Sequence, residues 1–197
     1  MWRPAALFLA LACAAPALAS PLEGLSLRER NFVNEAAILN LTEMHAGKLA
    51  EDMAESEVVR DLARRIADQH AATHERLRAI AQKHGASLPT VLDAPTREQI
   101  DEMQTFSGPA FDRYFLAFQE ETHARALKLF DAQVAYGGDE GLSHYAETTL
   151  GMLGDHLRTI ETTTAAIARE QTQTQAPYTL GPRLHNPQSA EQPERGP

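Results

Sequence analysis

The chain has 197 residues, with 18 Lys and Arg against 27 Asp and Glu and a formal net charge of −9. That acidic balance repels nucleic acid and anionic lipid headgroups, so neither is an expected partner. The one cysteine, Cys13, falls in a segment expected to be removed, which leaves the mature protein without a disulfide, a thiolate metal site or a c-type haem attachment.

Met1 to Pro4 carry one positive charge, at Arg3, and an apolar run follows from Ala5 to Ala15. Ala17-Leu18-Ala19 is the small-x-small pattern of a signal-peptidase site, so residues 1–19 read as a cleavable export signal cut after Ala19. The run is too short for a transmembrane anchor. A lipoprotein anchored through Cys13 fits less well, because Ala10 and Leu11 are poorly suited to the positions before it. The expected location is therefore periplasmic or secreted. No other stretch is apolar enough to cross a membrane, and loss of Arg3 takes the mature charge to −10.

Residues 20–170 are rich in helix formers, with apolar residues every three or four positions, and no segment alternates like a strand. Ser26 and Glu29 form a capping box that opens a first helix from Leu27 to about Glu55. Ser56 is expected to cap a second helix, which stops at His84-Gly85. A connection from Ala86 to Gly108 holds Pro89, Pro95 and a short helix over Thr96 to Phe106. Ser107-Gly108-Pro109 opens a third long helix, ending at Tyr136 before Gly137-Gly138. Asp139 caps a fourth, running to about Glu170. Two tight helical hairpins joined by one long connection predict an all-α, ferritin-like four-helix bundle with a single crossover; an up-down bundle with a folded-back loop is the alternative. Residues 171–197, rich in Pro and Gln and poor in large apolar residues, read as a disordered tail.

Each long helix carries an apolar stripe with a polar interruption, placed at ~100° per residue. Glu43 lies among Phe32, Leu39, Ala46 and Ala50, with Glu35 at the edge of that face. His70 lies among Val59, Ala63, Ile66, Leu77 and Ala81, with His74 one turn on. His123 aligns with Leu116, Leu127, Phe130 and Val134, and His156 with Leu142, Tyr145, Met152, Leu153, Ile160 and Ile167. All four lie near their helix midpoints, so three imidazoles and one carboxylate should meet in the middle of the bundle. That set suits a divalent transition metal such as Zn, Cu, Fe or Mn, with Glu35 and His74 as auxiliary groups. The competing reading is a metal-free hydrogen-bond network that fixes helix register, joined by Tyr145 or Tyr114. No nucleophile–base pair supports an enzyme.

Other signals carry less. Glu120-x-x-His123 is half of a di-iron motif, but Leu153 stands where the fourth helix would need its carboxylate. His45, His84 and His144 are expected at the surface, and His185 in the tail. Asn40-Leu41-Thr42 matches a glycosylation sequon by chance, in mid-helix. Gly151 and Gly154 suggest a kink or a close helix approach beside His156. Apolar strips on both sides of the third long helix leave a homodimer or an envelope protein partner open.

From about Asn31 to Ile160 the chain resembles the ferritin-like domain-of-unknown-function family 4142. The resemblance is carried by Phe32-Val33-x-Glu35-Ala36-Ala37, Glu43 with Gly47-Lys48-Leu49-Ala50, and Ile66-Ala67-Asp68-Gln69-His70. It continues through Gly85-x-x-Leu88-Pro89, Ser107-Gly108 with Phe111, Asp112 and Tyr114, His123 with Phe130, and Leu150 to Leu157. It implies an exported bacterial protein with a ferritin-like fold, and no established reaction. Family members commonly have an acidic residue in place of Gln69, Asn in place of His74 and Pro in place of Gly151.

Overall fold

The computed structural model describes residues 24–174; the segment read as an export signal, with Cys13, and the residues from 175 onward, including His185, lie outside them. Five helices follow in order: α1 (Leu27–Met53), α2 (Glu57–Lys83), α3 (Ala94–Met103), α4 (Gly108–Tyr136) and α5 (Glu140–Thr174). The Ser26 hydroxyl and the Glu29 carboxylate close the expected capping box at the start of α1. At Gly85 the backbone takes φ +70° and Ala86 N–H bonds back to the Ala81 carbonyl, the glycine stop that ends α2.

Three local expectations change. Ser56 occupies the N-cap of α2 but its hydroxyl caps nothing; its own N–H donates to Asp112. The short helix starts two residues earlier than expected, because Asp93 caps it at Thr96 N–H and Pro95 fits its first turn. The helix of the fourth stripe continues through Gln171 to Thr174, into the segment read as tail, since polar composition alone does not stop a helix already nucleated upstream.

The ends of the helices fix the topology. Glu29, in the first turn of α1, accepts hydrogen bonds from Gly138 and Asp139 N–H (2.9 and 2.6 Å) just past the end of α4. Asp112, in the first turns of α4, accepts from Glu55 and Ser56 N–H (3.0 and 2.9 Å) just past the end of α1. Thus α1 and α4 are antiparallel. His84 Nε2 stands 3.3 Å from Asp139 Oδ2, which brings the end of α2 to the start of α5 and makes that pair antiparallel too. It follows that α2 and α4 run parallel, and the connection between them must travel the length of the bundle, ~40 Å for a helix of this size. This is the ferritin-like single crossover; in the up-down alternative α2 and α4 would oppose each other. The α3 helix rides on α1 and α4 along the way, burying Ile100 and Met103.

One glycine is explained by helix approach. A Cβ on Gly47 of α1 would fall 2.7 Å from the Ala63 carbonyl oxygen and 2.8 Å from Ala67 Cβ, so the α1–α2 contact needs a residue without one. Gly151 has no neighbour within 4 Å of such a Cβ and Gly154 has only Arg158 at 3.5 Å, so neither marks the close approach expected near His156.

The apolar interior is in two clusters. One gathers Ile66, Leu116, Phe111, Phe115 and Ile160; the other gathers Phe32, Leu77, Phe130, Leu142 and Leu153. Between them, along every long helix, lies a buried polar layer: Asn40 and Glu43 on α1, His70 on α2, Gln119 and His123 on α4, and His156 on α5.

Candidate metal centre

Each histidine occupies a position that the 3/4 spacing of its helix reserves for the core. On α2 the buried series is Leu62, Ile66, His70, Thr73, Leu77; on α5 it is Thr149, Leu153, His156, Ile160. His70 and His123 are 0 % exposed and His156 is 3 % exposed. Their ring centroids are 5.6 Å (His70–His123), 5.6 Å (His70–His156) and 5.2 Å (His123–His156) apart. One ring nitrogen from each can be chosen so that all three lie within 4.8 Å of one another.

The other nitrogens are held by oxygen acceptors. His70 Nδ1 meets Asn40 Oδ1 at 2.9 Å, and the Asn40 amide donates to the Tyr145 hydroxyl at 3.1 Å. His123 Nδ1 meets the Gln119 backbone carbonyl at 2.9 Å, and His156 Nε2 meets Gln69 Oε1 at 2.6 Å. A carbonyl oxygen can only accept, so each of these contacts places the ring proton on the nitrogen facing outward. The remaining nitrogens, His70 Nε2, His123 Nε2 and His156 Nδ1, are then bare. His123 Nε2 and His156 Nδ1 face each other at 3.1 Å, and His70 Nε2 has no partner.

Burial keeps the imidazoles neutral. It pushes His123 down to about 4, against a smaller upward pull from its bond to the Gln119 carbonyl. Burial also brings His156 to about 4, helped by His123 and Arg65 and opposed by Asp155. For His70 the direction is strongly downward, through burial and then the two neighbouring imidazoles. Neutral imidazoles are the form that ligates metal.

Glu43 meets the cluster from a different side. Its carboxylate is fully buried and Oε1 stands 3.9 Å from His123 Nδ1, the nitrogen bonded to Gln119, rather than from the inward nitrogen. Burial raises it to about 7. Gln119, Thr122 and Arg125 lie where they favour the ionised form, but neither carboxylate oxygen receives a well-formed hydrogen bond. Among the described residues, eight buried side-chain atoms lack a partner, and five of them belong to Glu43, His70 and Gln119. Unmet polarity therefore concentrates at this layer, where each such group costs about 1–3 kcal/mol if nothing satisfies it.

The auxiliary candidates lie elsewhere. Glu35 is exposed, in a shallow groove between α1 and α4, and His74 is half-buried and outside the three-histidine group. Glu120 is exposed, so the Glu120-x-x-His123 spacing does not bring a carboxylate inward. His45 and His144 are exposed as expected, whereas His84 is half-buried beside Asp139. Tyr145 joins the network through Asn40; Tyr114 instead stacks on Phe106 with centroids 4.6 Å apart. Asn40 itself is 0 % exposed, which leaves its sequon without access for a glycan.

Sequence reasoning missed Asn40, Gln69 and Gln119 as supports of the rings. Asn40 had a signal: it lies on the stripe Phe32-Ala36-Asn40-Glu43-Gly47-Ala50. Gln119 acts through its backbone carbonyl, which no side-chain pattern reveals.

The fold and site define a single-crossover four-helix bundle with a buried three-histidine layer. The chain belongs to the family described as Domain of unknown function (DUF4142), which it matches over residues 14–163. No curated protein sequence matches it. Among solved structures it is similar to a DUF305 fragment from Deinococcus radiodurans, at 13 % identity and TM-score 0.65, covering 72 % of this chain and 98 % of that one. It is also similar to a DUF305 protein from Streptomyces coelicolor that carries a secreted-protein description, at 16 % identity and TM-score 0.61, covering 72 % and 94 %. At these identities the likeness is one of fold.

Proposed function

We propose that this protein is an exported ferritin-like bundle that binds one divalent transition-metal ion between His70, His123 and His156, in metal handling or envelope stress defence. The carrying observation is the set of three convergent ring nitrogens left bare because every outward nitrogen is held by an oxygen acceptor. A second sphere of this kind orients metal-ligating histidines and fixes their tautomers. Nitrogen ligands on a tetrahedral ion with ~2.0–2.1 Å bonds stand ~3.3 Å apart, close to the 3.1 Å between His123 and His156. Each of the three rings offers one nitrogen within 4.8 Å of the other two, the scale on which a single ion is shared. Three neutral nitrogen donors favour Zn or Cu over the oxygen-seeking Mn. Glu43 would balance charge behind His123 rather than ligate.

The exported location rests on the Ala17-Leu18-Ala19 pattern and on the secreted-protein description of the Streptomyces relative. Among the described residues, no helix is long and apolar enough to cross a membrane.

A metal-free structural bundle is the second reading. It is favoured by the 3.1 Å His123–His156 contact, which is also a good hydrogen bond if His156 carries its proton on Nδ1. Thermal unfolding with and without chelator separates the two. An ion present at 100 times its Kd adds about 2.7 kcal/mol, worth roughly 5–10 °C in Tm for a domain of this size. A melting temperature unmoved by chelator and by added Zn²⁺ or Cu²⁺ favours the structural network.

A further inference from the structure

His70 and His123 are fixed by groups deep in the protein, Asn40 and the Gln119 backbone. His156 alone is fixed by an exposed side chain, Gln69, one residue before His70 on α2. The two meet in a surface hollow between α2 and α5, lined also by Arg65, Met152, Asp155 and Thr159. This hollow is where the histidine layer comes closest to solvent.

We infer that Gln69 is the positioning residue of this centre: it holds the His156 proton on Nε2 and so keeps Nδ1 bare toward His70 and His123. Its effect on ion affinity rests on the metal-binding reading above, whereas its hold on the ring does not. If the acceptor at Gln69 is lost, His123 Nε2, 3.1 Å from Nδ1, is the acceptor already in place for the His156 ring. The proton then sits on Nδ1, the two rings hydrogen-bond to each other, and the donor set closes. Gln69 thus chooses between an ion-ready arrangement and a closed network. A glutamate there could only accept, which would hold the ion-ready tautomer without the amide's alternative of turning its NH₂ toward the ring.

The test uses the full chain with Gln69→Leu and Gln69→Glu, both at an exposed position. Two-bond ¹H–¹⁵N spectra of the metal-free proteins read the His156 tautomer, and Zn²⁺ titration reads affinity. The expected result is an Nε2–H ring in wild type and Q69E, and an Nδ1–H ring in Q69L with Zn²⁺ binding weaker by about 10–100-fold. Q69E is expected to retain or exceed wild-type affinity. An Nδ1–H ring in wild type, or a His156 tautomer unchanged in Q69L, overturns the role of Gln69. If wild type binds no Zn²⁺ while the proton still moves in Q69L, the hold of Gln69 on the ring stands and the metal reading falls.

Discussion

His123 Nε2 and His156 Nδ1 stand 3.1 Å apart across the α4–α5 contact, and each belongs to a ring whose opposite nitrogen is bonded to a carbonyl oxygen. Two lone pairs facing each other at that distance repel unless a positive charge or a proton lies between them. On the proposed reading a cation takes that place, with His70 Nε2, unpartnered, as the third donor.

Asn40 is predicted to anchor this arrangement. Asn40→Ala leaves His70 Nδ1–H without its buried acceptor and removes one hydrogen bond from the Tyr145 hydroxyl. At about 1–3 kcal/mol for each unsatisfied group, and about 2–4 °C per kcal/mol, thermal denaturation should fall by several degrees or more. An unchanged Tm would mean that the His70 orientation is set by packing alone.

Glu43 carries a stability cost that grows with pH. Its folded value of about 7 lies above its ordinary 4.5, so the folded state binds this proton more tightly than the unfolded one. The cost is absent below pH 4.5, rises between 4.5 and 7, and is complete above 7. In chelator, Glu43→Gln is expected to be more stable than wild type at pH 8, by on the order of 3 kcal/mol at most, with the difference shrinking toward pH 5. A difference independent of pH in urea unfolding would show that Glu43 ionises freely. Added metal should reverse the advantage, because a cation at the histidines favours the carboxylate.

Glu29 has the opposite sign. Burial alone would raise it, but hydrogen bonds from Ser26, Asp139 and Gly138 together outweigh burial and hold it at about 2. Its contribution, of order 3 kcal/mol at most, is present above pH 4.5 and is lost as pH falls toward 2. Glu29→Gln should lower stability at neutral pH and flatten the acid limb of the stability–pH curve in that window; an acid limb identical to wild type would refute the staple. Asp112 accepts the corresponding pair of backbone hydrogen bonds at the other end of the bundle. Glu29 and Asp112, Glu55 and Gly138, and Ser56 and Asp139 are each 83 positions apart, so each hairpin's first helix caps the turn of the other hairpin at equivalent places.

Gly47→Ala tests the α1–α2 contact by its sign. In an exposed helix the change gains up to about 1 kcal/mol. Here the new methyl would press on the Ala63 carbonyl oxygen at 2.7 Å, a backbone atom that cannot step aside cheaply. A net loss of about 1–3 kcal/mol is expected in chemical denaturation, and a net gain would contradict the packing described.

The helices were legible because their punctuation is local: a capping box at Ser26 and Glu29, a glycine stop at Gly85, and Gly137-Gly138 after Tyr136. The crossover followed from one long connection between two short ones. The histidine layer was legible because a polar residue at a 3/4 core spacing stands out against its stripe. What lay beyond reach is non-local. Asp112 holds the Ser56 N–H from 56 positions away in sequence, and Glu43 reaches the far nitrogen of His123 because the rotation of α1 against α4 is fixed by packing. The ring partners follow the same logic: an exposed glutamine and a backbone carbonyl give no periodic signal.

The most direct test of the central claim is elemental analysis of the full chain, expressed with residues 1–19 and purified without an affinity histidine tag, beside the His70→Ala/His156→Ala double variant. Near-stoichiometric Zn or Cu in the wild type and its loss in the double variant is the predicted result. Metal-free wild-type protein that also takes up no ion on incubation with Zn²⁺, Cu²⁺, Fe²⁺ or Mn²⁺, or metal retained in the double variant, would contradict a three-histidine ion site.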